Sequence, residues 1–250
     1  MVDALQAGGY GLAAGSALVV GALIAWFARM PPAATAGIMA FGAGVLISAL
    51  AYELVEEANK NGGLVATVAG FLVGATIYVV ADALLARYGA RHRKRSTSVQ
   101  ASEDEQSGSG LAIAIGALLD GVPESIVLGL SVAGGGALSL PIFAAIAISN
   151  VPEGLSSSAG MKASGRSAGY VFGVWGGIAV ASGLAAFLGS LALADAGTST
   201  IAFVTTIAAG GILAMLANTM IPEAFSRDRS LTGLLTTVGF LTAFVLHELG

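Results

Sequence analysis

Two short segments of this 250-residue chain place a carboxylate where an apolar, membrane-type helix should carry no charge. Gly121-Val122-Pro123-Glu124-Ser125 lies in one long apolar stretch, and Asn150-Val151-Pro152-Glu153-Gly154 repeats its core in the next. A third Pro-Glu follows at Pro222-Glu223. A carboxylate deep in an apolar span costs about 2.5–3.5 kcal/mol on insertion scales, so it normally has a partner and a role. Proline beside it removes a backbone hydrogen bond and leaves a carbonyl oxygen free. Carboxylate and carbonyl oxygens are hard ligands, and the chemistry they perform together is to surround a divalent cation.

Residues four apart share a helix face. Asp120 and Glu124 therefore point the same way on either side of Pro123, and Ser149 and Glu153 do so around Pro152, with Asn150 one step round. The two prolines are 29 residues apart, with Gly134-Gly135-Gly136 between them, so the stretches run antiparallel and their motifs fall at similar depth. Broken helices meeting near the midplane are how many transporters build a site. No Lys or Arg lies in the middle of any stretch, so a bound metal or shared protons are expected to neutralise Asp120, Glu124 and Glu153. A packing kink beside a protonated glutamate is the bland explanation for one Pro-Glu, and it fits three acids together poorly.

Other acids mark the expected path. Glu53, Glu56 and Glu57 near the outer end of the second stretch form an entrance for cations or solvated anchors. Asp82 pairs with Arg87 or lines the exit, and Glu223 receives a departing ion or caps and orients its loop. His247 and Glu248 are close enough to the carboxyl terminus that fraying is expected. No enzyme is expected: cysteine is absent, and no nucleophile–base pair has suitable spacing.

The elements that must position these residues are membrane spans. The chain is 56% hydrophobic and 10% charged, against about 25% charged in a soluble domain. Its 36 glycines suit helices that pack closely in lipid. Eight continuous apolar stretches, each near the roughly 20 residues needed to cross a bilayer, are expected at about 9–29, 34–55, 63–87, 109–132, 137–161, 168–193, 199–221 and 231–247. Their continuity argues against a β-barrel. The expected fold is all-α: a single transmembrane domain over 1–250, a polytopic bundle of eight helices with the fourth and fifth kinked. No cleavable signal peptide is evident, because no basic region precedes the first apolar run.

With both termini outside, ten of the eleven Lys and Arg fall on the cytoplasmic side, leaving only Lys60 outside. The polar tract 89–108 is the one substantial linker, expected as a cytoplasmic, solvated tether whose basic half, Arg91 to Arg95, lies near anionic lipid heads. The plasma or inner membrane is the expected location. The lipid bilayer and a metal ion are the expected partners, and nucleic acid is not.

These motifs resemble the ZIP (Zrt-, Irt-like) divalent metal transporters over nearly the whole chain. The stretch from Phe41-Gly42-Ala43-Gly44 to Glu53-Leu54-Val55-Glu56-Glu57-Ala58 looks like that family's second span. Asp120-Gly121-Val122-Pro123-Glu124-Ser125 stands where the family's fourth span reads His-Asn-x-Pro-Glu-Gly. Ser149-Asn150-Val151-Pro152-Glu153-Gly154 stands where its fifth reads His or Gln, then an acid or Asn, then x-Pro-Glu-Gly. Thr219-Met220-Ile221-Pro222-Glu223 is similar to its Glu-x-x-Pro-Glu. Both usual histidines are thus replaced, by Asp120 and Ser149, and a glutamate by Thr219.

The resemblance implies transport of a divalent cation (zinc, manganese, iron or cadmium) toward the cytoplasm by an elevator-like shift, with a homodimer as the assembly. It also implies a primary site of Asp120, Glu124, Glu153 and Ser149, and a second built on Asn150 with the shared Glu124 and Glu153. Oxygen in place of imidazole shifts preference from Zn²⁺ toward harder ions such as Mn²⁺, Fe²⁺ or even Mg²⁺. A metal sensor or degenerate relative without transport, and a proton-coupled carrier of another solute, are the rival expectations.

Overall fold

The computed structural model describes residues 1–28, 30–132, 138–226 and 231–249. Arg29, Arg227 and Arg229, which carry part of the topology assignment, and the Gly134–Gly136 turn lie outside these residues. Eight long helices follow one another: α1 Val2–Phe27, α2 Pro32–Gly62, α3 Leu64–Ala86, α4 Ser109–Ser131, α5 Leu140–Ala163, α6 Ala168–Ala192, α7 Thr198–Ala224 and α8 Thr232–Leu249. No strand occurs among the described residues. All but α5 are long and apolar enough to cross a membrane, which marks an integral membrane protein. At 24 residues α5 is long enough, but Ser149, Asn150, Glu153 and Ser156 to Ser158 lower its hydropathy.

The expected boundaries hold best where polar breaks are sharp. Hydropathy misses two polar extensions. Helix α1 starts at Val2 rather than near residue 9, and α2 continues past residue 55 to Gly62. Glu56, Glu57 and Lys60 are good helix formers, and the helix ends where Gly63 takes φ 87°, which glycine adopts without steric cost. Helices α4 and α5 run as unbroken α-helix through Pro123 and Pro152. Wider π turns occur elsewhere, at Leu50–Glu56 in α2 and Leu216–Met220 in α7. The second directly precedes Pro222, which has no N–H to continue the ladder.

Small residues set the packing. Helix α1 lies against α5 and α6, α2 against α5 and α8, α3 against α7, and α4 against α6 and α7. Gly21 of α1 faces the Val151 carbonyl, and Gly154 of α5 faces that of Leu18, so neither has room for a side chain. Leu72, Ile77, Val80 and Leu84 of α3, Leu184 and Leu188 of α6, and Leu234, Leu241 and Val245 of α8 stay exposed. Such apolar outward faces suit contact with lipid tails.

The tract between α3 and α4 departs most from expectation. Arg93, Lys94 and Gln100 are buried, so this segment is neither a solvated tether nor a lipid-facing basic patch. A 3₁₀ turn at Ala90–His92 directs it back into the bundle.

Candidate functional site

Asp120 and Glu124 of α4 and Glu153 of α5 are brought together as their spacing predicted, and at 1%, 1% and 3% exposure they are sealed from solvent. Each helix holds its acid deep because the surrounding turns are apolar: Ile113, Ala117, Val127 and Leu128 on α4, Ile146 and Leu155 on α5. Helix α3 adds Tyr78 and Asp82 from the side.

The expectation that these acids lack a cationic partner is wrong. Arg93 Nε donates to Asp120 Oδ2 at 2.9 Å and its Nη2 donates to Oδ1 at 2.9 Å, a fork-on-carboxylate pair. The same guanidinium bonds Asp82 Oδ1 at 2.6 Å and the Tyr78 hydroxyl at 2.8 Å, and that hydroxyl donates to Asp120 Oδ1 at 2.7 Å. Lys94 Nζ lies 2.9 Å from Glu153 Oε2 and 3.4 Å from Asp120 Oδ2. Hydropathy puts both cations outside every span. Their long side chains nonetheless reach the acids because the loop re-enters.

Satisfaction within the cluster is uneven. Asp120 is fully engaged. Lys94 Nζ makes ion pairs but no hydrogen bond of good direction, and Glu124 Oε1 has no hydrogen-bond partner among the described residues. Glu124 meanwhile feels the charges of Glu153, Lys94 and Asp120. Of the other two expected ligands, Ser149 Oγ donates to the Ile146 carbonyl at 2.9 Å, and Asn150 Nδ2 donates to that of Ala14 in α1 at 2.9 Å. Among the described residues, no three Asp, Glu or His side chains stand so as to hold a metal ion.

The re-entrant loop is fastened along its length. Glu223, expected at an exit or as a cap, accepts from Ser96 N at 3.0 Å, Ser96 Oγ at 2.6 Å and Arg95 Nη1 at 3.3 Å. Ser156 Oγ donates to the Lys94 carbonyl at 2.7 Å, and Gln100 Nε2 to the carbonyls of Arg93 and Ser157, each at 3.0 Å. A side chain at Gly160 would strike the Arg95 carbonyl. The small-residue run Ser156 to Gly160 thus serves as the seat of the loop. Further on, Arg166 Nη1 bonds Glu103 Oε2 at 2.7 Å. The Arg166 bond and the Gly108 and Gly110 amides hold the Glu103 carboxyl down at about 2.

Asp82 pairs with Arg93 rather than Arg87, and accepts from Asn218 Nδ2 at 3.2 Å. It lines a cavity of about 440 Å³ with Arg91, His92, Lys94, Arg95 and Asn218. At the opposite end, Glu53 and Glu57 line a second cavity of about 280 Å³ with Asn61, Ser131 and Ser139. Leu54, Val127 and Ile142 line that cavity too, and they continue into a tight apolar constriction with Leu46, Leu50, Ile146 and Ile212. His247 is not frayed: its Nδ1 lies 2.5 Å from Glu53 Oε1, and its ring stacks on Tyr52.

Sequence reasoning missed Tyr78, Arg93, Lys94, Ser96, Gln100 and Asn218. One signal was present, namely three consecutive basic residues, Arg93 to Arg95, in a chain with only 11. No family model matches the chain and no curated protein is significantly similar to it, so the likeness to ZIP transporters rests on its motif residues.

Proposed function

We propose that the chain is an eight-span carrier that moves a divalent cation of the zinc, manganese, iron or cadmium class toward the cytoplasm by alternating access. In the state described, its acid site is closed by its own loop. The observation that carries this reading is a charge mismatch. Among the described residues, the ion pairs to Asp82, Asp120 and Glu153 come from Arg93 and Lys94, buried Glu124 has none, and Arg91 and Arg95 share only the cavity that Asp82 lines. Two negative charges remain, to be met by two protons or by one divalent cation.

Counting α5 as the eighth span is supported by where its polar groups go. Asn150 bonds α1, Ser158 accepts from Trp175 of α6, and Ser156 bonds the loop, so none is spent on lipid. Cargo would enter by the cavity of Glu53 and Glu57 and leave by that of Asp82 and Asn218. Both termini lie outside in this reading, the cell membrane is the location, and a homodimer is the assembly that the resemblance favours.

Uptake of Zn²⁺, Mn²⁺, Fe²⁺ and Cd²⁺ into proteoliposomes tests the proposal. Flux of at least one ion is expected, lost in Glu124→Gln and in Glu153→Gln. A specific observation favours the second reading, a non-transporting relative: Asp120 has its acceptor positions filled by Arg93 and Tyr78. Absence of flux for all four ions in correctly folded protein selects that reading. Proton-coupled flux of another solute, without metal, selects the third.

A further inference from the structure

We infer that Lys94 is a tethered competitor of the cargo: its ammonium holds the position of the transported cation and must withdraw before a divalent ion can occupy the acids. The inference rests on the reading of the acids as a cation site.

Three independent observations converge on Lys94. First, among the described residues it is the one cation that pairs across the two helices, with Glu153 of α5 and Asp120 of α4. Arg93 is committed to one side, with three partners on α3 and α4. Second, the ammonium lies 2.9 Å from Glu153 Oε2 without a well-directed hydrogen bond, while Glu124 Oε1, which feels its charge, is buried with no donor among the described residues. An unpaired carboxylate oxygen and an ammonium without a directed bond are the groups that a doubly charged ion would rearrange. Third, Lys94 also lines the 440 Å³ cavity at the Asp82 end. Its side chain therefore has space to retreat into, shared with Asp82 and Asn218, with Arg93 left in place on Asp120.

The backbone around Lys94 is built to reset this exchange. Its carbonyl is gripped by Ser156 Oγ, and the next residues are gripped by Glu223 and Gln100. Once cargo leaves, the ammonium is returned to the same acids at high effective concentration, because its tether is fixed on both sides.

The test measures equilibrium Mn²⁺ binding to detergent-purified full-length protein, wild type against Lys94→Gln. The variant should bind at least tenfold tighter. If wild type binds and Lys94→Gln binds no tighter, the inference fails while the cation-site reading stands. If neither binds Mn²⁺, nor Zn²⁺, Fe²⁺ or Cd²⁺, the cation-site reading fails and takes the inference with it.

Lys94→Met, which keeps the length of the side chain without its charge, covers the case in which Lys94→Gln does not fold. It should also bind Mn²⁺ at least tenfold tighter than wild type, and binding that is no tighter overturns the inference.

Discussion

The two ends of the bundle are packed by opposite means. Inward of Glu53 and Glu57, Leu46, Leu50, Val127, Ile146 and Ile212 close on one another, a contact of side chains with no charge. Towards Asp82, Arg93 and Lys94 are drawn into buried carboxylates. An apolar closure excludes water and ions alike and responds to none of them. An ionic closure is as strong as its counter-charges and yields to whatever competes for them. The difference teaches that a cation reaching the acids, as proposed, would be felt at the Asp82 end and not at the apolar one.

That contrast can be broken from either side. The largest effect is expected at Asp120. Asp120→Ala strips Arg93 of its forked partner and leaves a buried guanidinium short of acceptors, which costs about 3–5 kcal/mol. Thermal unfolding in detergent should show a fall of this size. Ile146→Ala at the apolar end should cost about 2–4 kcal/mol by leaving a cavity. It should also let a small thiol reagent reach a cysteine placed at buried Ser149, about one turn deeper on α5, faster, with no change in the loop.

Gly160→Leu sharpens the other end. The new side chain collides with the Arg95 carbonyl and Gln100, so the loop must lift, at about 1–3 kcal/mol. Limited trypsin digestion at Arg93, Lys94 and Arg95 should accelerate severalfold, whereas Ile146→Ala should leave it unchanged. Equal acceleration in both would erase the distinction between the closures.

The smallest effect is a pH dependence at the far end of the loop. Glu103 has its carboxyl lowered from an ordinary 4.5 to about 2 by Arg166 and two backbone amides. A group depressed on folding stabilises above its unfolded value and loses that contribution as pH falls through the folded one. The anchoring of 102–110 should therefore weaken between about pH 4.5 and 2. Amide-exchange protection of 102–110, corrected for intrinsic exchange, should fall over this window and stay flat in Glu103→Gln.

Helices were legible because hydropathy reports them residue by residue, and the acids because a carboxylate among Ile113, Val127 and Leu128 is conspicuous. The loop was not legible, because Arg93 and Lys94 look the same in sequence whether they meet water or Asp120. Their partners are 27 residues away for Arg93–Asp120 and farther for Lys94–Glu153, and no periodicity links them. The bond from Asn150 to α1 was hidden for a related reason: one step round the helix was enough to aim its amide nitrogen at the Ala14 carbonyl. His247 was expected to fray because nearness to a terminus says nothing about Tyr52 and Glu53, which hold it.

The polarity of α5 bears on biogenesis. Counted as a span, as proposed, it would be too hydrophilic to partition from the translocon into lipid by itself, and Ala14, Trp175 and the loop would have to receive Asn150, Ser158 and Ser156. Trp175 lies downstream of α5 in the chain, so in that reading the hairpin would enter the bilayer as a late, joint step of synthesis, and truncation before α6 would strand α5 at the membrane surface.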